Sequence, residues 1–192
     1  AVIGLFQPDE TEFTEKTALM VAESNEIGYF EFNNVPVGNW LVREIAPPAA
    51  FVLSEERFPV EITEDGQTIE ITIENQIIRG TVETTKVDAD YPDHKLSGAV
   101  FEIYADVDNN GKFDADVDRL VGEMAETEPG LYQLKNLACG NYLLHEKEGP
   151  EFFEQDDAYH PFSIIENGVV VRVETEVDVG FLNRAQTGSL KV

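Results

Sequence analysis

The sequence predicts an all-β protein built as two tandem β-sandwiches, and three observations carry that expectation. Short stretches alternate with a period of two, as in "TIEITIEN" at 68–75, where Ile69, Ile71, Ile73 and Asn75 share one face. Asp65-Gly66 and Asn167-Gly168 stand between apolar runs, the strongest short hairpin signal. A shift of 102 residues superposes the halves, placing Gly28 on Gly130, Asn34 on Asn136, Gly38-Asn39 on Gly140-Asn141, Pro48 on Pro150 and Pro59 on Pro161. No long segment has the 3.6-residue period of a helix.

Taken in order, the elements repeat. "AVIGLF" at 1–6 matches "AVFEIY" at 99–104 with a shift of 98, so the second copy carries four extra residues before the next strand. "NWLVREIAPP" at 39–48 and "NYLLHEKEGP" at 141–150 each read as a strand ending in a Pro-marked turn. In the first, Trp40, Val42 and Glu44 share a face; in the second, Tyr142, Leu144 and Glu146 do. Each carboxylate therefore ends an apolar row that should face a core, where an unpaired charge is costly. After the second Asn-Gly turn, Val171, Val173, Thr175, Val177, Val179, Phe181 and Asn183 have one parity. The six-residue insertion is even in number and is expected to preserve that facing. In "GTVETTKVDAD", Val82, Thr84 and Lys86 share a face, so copy two also points a lysine inward. The expected modules are 1–78, without a first strand of its own, and 79–186. Gly188 lies 108 residues after Gly80, so 187–192 reads as the start of a third module's first strand, with Lys191 facing outward. Such a tail is expected to dock head to tail beside module one of a neighbouring molecule.

Composition narrows the function. With 38 acidic and 13 basic residues the net charge is −25, which argues against nucleic acid or an anionic membrane as partner. The same charge suits an extracellular, highly soluble surface or cation binding; a merely solvated acidic face is the plainer reading. No membrane span, signal peptide or lipidation motif is present, and Cys139 has no partner for an internal disulfide. His94, His145 and His160 lack metal-ligand spacing, and acidic pairs such as Asp156-Asp157 are expected by chance at this acid content. No Ser-His-Asp order or Gly-rich phosphate loop occurs, so no substrate-turning enzyme is expected.

Together these motifs carry a family resemblance. Gly80 to Lys86, "GAVFEIY" at 98–104, "YLLHEKEGP" at 142–150 and "FLN" at 181–183 resemble, in order and facing, the CnaB-type (prealbumin-like) modules of Gram-positive surface adhesins and pilins. The resemblance covers nearly the whole chain and implies immunoglobulin-like or prealbumin-like sandwiches. It also implies an autocatalytic isopeptide bond in which Lys86 attacks the side-chain carbonyl of Asn183, ammonia leaves, and Glu146 shuttles protons. Burial favours neutral forms, lowering an amine's pKa and raising a carboxyl's by as much as ~3–5 pH units. Fixed proximity adds effective molarities of roughly 10⁵–10⁸ M. The alternative is a buried Lys–Glu ion pair beside a hydrogen-bonded Asn. In copy one, Glu44 and Asn75 occupy the matching positions, but the lysine-bearing strand would precede Ala1; Lys16 is a poor substitute, and no self-contained bond is expected there. The implied role is a stalk or spacer, extracellular and held to the cell wall through parts outside this sequence, with neighbouring modules of the same protein as partners.

One loop points elsewhere. "DVDNNGKFDADVD" at 106–118 sets Asp106, Asp108 and Asn110 at alternate positions, with Gly111 for the turn and Asp114 beyond. Hard oxygens at that spacing suit Ca²⁺, with the Lys112 carbonyl and Asp116 or Asp118 as further ligands. Val117 stands where an EF-hand has its glutamate, and "QPDETEFTEK" in copy one lacks the pattern. Calcium binding and a solvated acidic turn both fit. The rival function is accordingly a calcium-dependent module recognising carbohydrate or a host matrix protein.

Overall fold

The computed structural model describes residues 1–190 and resolves into two compact units, Ala1–Ile77 and Ile78–Val192, whose last two residues lie outside the description. The outward facing expected of Lys191 therefore falls outside the described residues, and Thr187–Leu190 enter no strand.

Unit 2 is a two-layered sandwich. One sheet has the order β11 (Tyr159–Ile164), β10 (Gly140–Glu148), β6 (Val100–Ala105), β7 (Arg119–Glu123). The other runs β12 (Val170–Arg172), β5 (Arg79–Asp88), β9 (Leu131–Ala138), β8 (Ala125–Glu128), with β13 (Phe181–Asn183) also beside β5. Inward residues of both sheets, including Val82, Phe101, Tyr132, Leu144 and Phe181, are buried in one core. Phe101 packs edge-on against Tyr132 and Phe181, with both centroid distances 5.1 Å.

Strand β5 is the axis of its sheet. On one side it runs antiparallel to β9; on the other its first half pairs in parallel with β12 and its second half with β13. Val82, Thr84 and Lys86 all face inward and are buried, as their common parity requires. Gly130 closes the end of this ladder, accepting the Lys86 N–H at 2.7 Å and adopting φ +71°.

Two local expectations are corrected. The Asn167-Gly168 turn forms, but β11 pairs β10 while β12 pairs β5, so the turn passes the chain between sheets and closes no hairpin. The inserted residues do not continue the strand: a turn closed by Glu176↔Gly180 pairing leaves Val177 79% exposed, and Thr175 lies outside the core. Backbone pairing within that turn outweighs the apolar parity read from the sequence.

Unit 1 has one ladder, β2 (Met20–Glu23), β1 (Val2–Phe6), β3 (Gly38–Ala46), β4 (Phe58–Ile62). These match β7, β6, β10 and β11 of unit 2. Its buried Ile3, Leu5, Trp40 and Val42 are covered by Phe30, Phe32, Ile71 and Ile73. Yet residues 29–36 and 68–75, the counterparts of β9 and of β12 and β13, enter no strand. Burial still alternates over 71–75, so the facing predicted for Ile71, Ile73 and Asn75 is present without the ladder. What unit 1 lacks among the described residues is a counterpart of β5.

The repeat supplies a matched test of packing. Gly28 (φ +82°) has nothing within 4 Å of where a Cβ would stand, whereas a Cβ on Gly130 would lie 2.8 Å from Lys95 Cβ and 3.1 Å from Lys86 O. Gly28→Ala is expected to cost about 1–2 kcal/mol for its left-handed backbone alone. Gly130→Ala must also push Lys95 aside and crowds the Lys86 carbonyl of β5, and calorimetry is expected to show the larger loss of melting temperature there.

Candidate functional site

Three strands bring the candidate residues of unit 2 together. Lys86 on β5 and Glu146 on β10 face each other across the sandwich, and β13 runs beside β5 with Phe181 level with Lys86. Lys86 and Glu146 are fully buried and Asn183 nearly so. Lys86 Nζ stands 2.8 Å from Glu146 Oε1. Asn183 Nδ2 donates to both carboxylate oxygens of Glu146, at 3.0 Å each. Glu146 thus touches the lysine amine and the asparagine amide nitrogen at once.

The surroundings are apolar where the amine sits and polar only where the carboxylate needs it. Lys86 Nζ lies 4.3 Å from the centroid of the Phe181 ring and 5.6 Å from that of Phe101. Burial pushes its pKa down to about 8, against the opposing pull of the Glu146 carboxylate and, more weakly, of Asp156. A larger share of such amines is unprotonated at neutral pH than for a lysine in water. The backbone N–H of Asp156 donates to Glu146 Oε2 at 2.8 Å, fixing the carboxylate plane. Gln155 Nε2 holds the Glu146 carbonyl at 2.8 Å. Gly149 borders Asn183: a Cβ there would come within 3.3 Å of Nδ2.

These supporting groups escape sequence reading. A backbone N–H has no side-chain signature, and Asp156 stands in an acidic loop where its neighbours look alike. Its carboxylate meets His160 Nε2 at 2.9 Å, and the His160 ring packs edge-on against Phe181. His145 stacks on Tyr159 with centroids 4.2 Å apart. Both rings serve packing, the role that their scattered spacing suggests.

Unit 1 holds the same site with one member missing. Glu44 is buried, and its Oε2 accepts the Ser54 N–H and Asn75 Nδ2, each at 2.7 Å. Ser54 occupies the place of Asp156 in the repeat. Asn75 Nδ2 also donates to Val52 O at 3.0 Å. Glu44 Oε1, the counterpart of the oxygen that meets Lys86, is buried with no partner among the described residues. Lys16 is exposed on the loop between β1 and β2.

The acidic loop, 106–118, folds back onto the outer face of its sheet. One oxygen each of Asp106, Asp108 and Asp118 lies within 4.8 Å of the others. Asp106 accepts the N–H groups of Asn110 (3.1 Å) and Gly111 (2.9 Å); Asp118 accepts those of Val107 (3.0 Å) and Asp114 (2.8 Å). Asn110 Nδ2 bridges Asp108 and Asp114, so Asp114 joins through that amide, while Lys112 donates its N–H to Asn110 Oδ1. Asp116 is exposed. Phe113 anchors the loop by stacking on Tyr159, with Tyr104 edge-on at 4.9 Å.

Comparison with known proteins agrees with this architecture. None of the curated proteins compared matches the sequence. Among solved structures, the Bacillus anthracis TIE protein superposes with a TM-score of 0.76 at 24% identity, over 96% of this chain and 30% of that one. This chain therefore spans under a third of that relative's length, and the likeness is one of fold. GBS52, a minor pilin of Streptococcus agalactiae, aligns at 23% identity with a TM-score of 0.39, over 100% of this chain and 84% of its own. The shaft pilin SpaA of Lactobacillus rhamnosus GG aligns at 16% and 0.38, over 99% and 86%. The model of the SpaA prealbumin-like fold domain matches residues 1–77 and again 80–178, and the chain belongs to that family as two tandem prealbumin-like domains.

Proposed function

We propose that the chain is a stalk segment of a Gram-positive pilin or surface adhesin, whose second unit ties its first strand to its last by a Lys86–Asn183 isopeptide bond. Domains of this family are structural and not enzymatic. The setting is extracellular and anchored to the cell wall, and the partners are neighbouring modules. The single observation that carries the covalent part is the position of Glu146, 2.8 Å from the attacking nitrogen and 3.0 Å from the departing one.

The chemistry follows from that bridge. Glu146 takes a proton from Lys86 Nζ, leaving a neutral amine in an apolar pocket. Nζ attacks Cγ of Asn183, forming the new C–N bond. Glu146 gives that proton to Nδ2, the Cγ–Nδ2 bond breaks and ammonia leaves, and the freed Glu146 carboxylate takes the second proton from Nζ, so the products are a neutral amide, ammonia and a protonated Glu146. The donor atoms sit within one buried shell, so orientation is built in before the reaction begins. Asp156 N–H keeps the carboxylate aimed at both nitrogens.

The product suits a load-bearing module. Strands β5 and β13 are parallel neighbours joined by three residue pairs, a short ladder that tension along the chain could unzip. A covalent link would carry the load past it. By analogy with a disulfide closing a loop of about 100 residues, the link would contribute roughly 4–5 kcal/mol in the chain-entropy model.

A second reading, a calcium-dependent module recognising carbohydrate or matrix protein, is favoured by the convergence of Asp106, Asp108 and Asp118 beside the aromatic group of Tyr104, Phe113 and Tyr159. Three carboxylates supply hard oxygens, and loop carbonyls and water would complete the 6–8 that calcium takes.

Intact mass under denaturing conditions tests the bond. The chain is expected to weigh one ammonia less than its sequence, and Lys86→Ala or Glu146→Ala to restore the full mass. Folded wild-type chain of unmodified mass would refute the cross-link. The pH dependence of stability supplies a second check. A lysine depressed to about 8 from 10.5 binds fewer protons folded than unfolded across that interval, so stability rises with pH there. Asn183→Ala, which frees the amine, should stabilise with pH through that window relative to Asn183→Ala/Lys86→Met; the linked wild type, whose nitrogen is an amide, should lack this contribution. For the acidic loop, EDTA is expected to lower the melting temperature of unit 2, calcium to restore it, and Asp108→Ala to abolish the response. A melting temperature indifferent to both reagents identifies a solvated acidic turn.

A further inference from the structure

We infer that Asp156 and His160, beside the buried site of unit 2, are positioning residues for the cross-link: together they set the pH window in which Lys86 and Glu146 share the one proton that the reaction needs. The consequence for cross-linking rests on the isopeptide reading of unit 2; the control of the amine does not. Neither side chain touches a reacting atom.

Three contacts fix Asp156: its N–H donates to Glu146 Oε2 at 2.8 Å, its Oδ1 accepts the Ala158 N–H at 2.9 Å, and its Oδ2 accepts from His160 Nε2 at 2.9 Å. The carboxylate is thereby held beside the site, although 26% of its side chain reaches solvent, as does 23% of that of His160. The His160 ring packs edge-on against Phe181 with centroids 5.0 Å apart, and the same Phe181 ring stands 4.3 Å from Lys86 Nζ. Across the ladder His160 faces the apolar Leu144, so Asp156 is its charged partner. The neighbouring acids Glu154 and Asp157 are exposed.

The groups around the amine are equally few. From β10 comes Glu146, from β6 the Phe101 ring, and from β13 the Phe181 ring. From β9 comes Tyr132, whose hydroxyl is occupied by the Ala99 N–H. Asp156 is the remaining charge. Burial and Glu146 act most strongly on the proton affinity of Lys86; Asp156 acts after them and favours the charged amine. The productive state holds one proton between amine and carboxylate. With a second proton the amine cannot attack, and with none Glu146 has nothing to give Nδ2. A fixed negative charge nearby moves both limits to higher pH, and a donor that answers that charge moves them back. Asp156 supplies the charge and His160 the donor.

The repeat separates this role from mere support of the loop. Ser54 and Phe58 stand where unit 2 has Asp156 and His160. The Ser54 N–H still reaches Glu44 Oε2, at 2.7 Å. The backbone contact to the glutamate therefore forms without the side-chain pair.

NMR titration of Lys86 tests the inference in the full chain carrying Asn183→Ala, where no bond can form. Asp156→Asn and Asp156→Ser are expected to lower the titration midpoint by about half a pH unit or more, and His160→Phe to raise it. A pair that only kept water out would act differently: its loss would hydrate the amine and raise the midpoint, so a fall on removing Asp156 is diagnostic. Asp156→Asn, almost unchanged in shape, keeps the test valid where Asp156→Ser disturbs the loop. Cross-linking is then followed with Asn183 restored. Chain made by cell-free synthesis and recovered into denaturant before it links is diluted into buffers spanning acid to alkaline pH, and loss of ammonia is read by mass spectrometry. The pH–rate profile is expected to move in the same directions as the midpoints. A midpoint unmoved or raised in both Asp156 variants, or unmoved or lowered in His160→Phe, would overturn the inference. Midpoints that move while the rate profile stays in place would overturn its consequence for cross-linking. Wild-type chain that keeps its ammonia at every pH would refute the isopeptide reading itself, and the titration would still decide whether the pair governs the amine.

Discussion

A lysine with no solvent exposure must be answered by its surroundings, and unit 2 is organised around that requirement. Lys86 has exchanged water for two aromatic rings and one carboxylate. Removing Glu146 would leave a buried amine uncompensated, the kind of loss that costs about 3–5 kcal/mol in buried ion pairs. The carboxylate depends in turn on the Asp156 N–H and on Asn183 for its remaining lone pairs. Each group is held because another would otherwise be an unpaired polar atom in a dry core. The amine itself has a single contact, to Glu146, so the arrangement leaves an amine, a proton carrier and an amide as neighbours.

The two units show what one strand contributes to a sandwich. Both have the sheet that contains the glutamate strand, and both bury its apolar row. Where β5 is present, its flanks become β9, β12 and β13; in unit 1, where the described residues supply no counterpart, the same repeat positions keep their inward facing without a ladder. Side-chain burial and strand pairing are therefore separable here. Hydrophobic attraction is non-directional and keeps Phe30, Phe32, Ile71 and Ile73 on the core, but hydrogen bonds need a partner backbone at a fixed distance.

The acidic loop illustrates a different economy of charge. Asp106 and Asp118 are buried on the outer side of the sheet, yet each is satisfied by two backbone N–H groups of the loop itself. The loop is thereby shaped by its own carboxylates, and Phe113 pins it to Tyr159. Beside it, Lys147 lies 2.7 Å from Glu102 and 3.1 Å from Glu123, a partly exposed cluster where solvent screening leaves little net stabilisation.

Much of this was legible in the sequence, for a definite reason. A β-strand has a period of two, so parity alone puts Lys86, Glu146, Asn183, Glu44 and Asn75 on inward faces, and the repeat ties the two units position by position. The all-β class, the two modules and the identity of the central residues follow from local rules that need no knowledge of neighbours. The tertiary structure decided everything that depends on which backbone meets which. It parted the strands flanking Asn167-Gly168 into opposite sheets and turned Val177 out to solvent. It supplied the Asp156 N–H, drew Asp118 toward Asp106 and Asp108, and left Glu44 Oε1 without a donor. Parity is carried along the chain, residue by residue, whereas pairing is settled across it, between segments that only the folded state brings together.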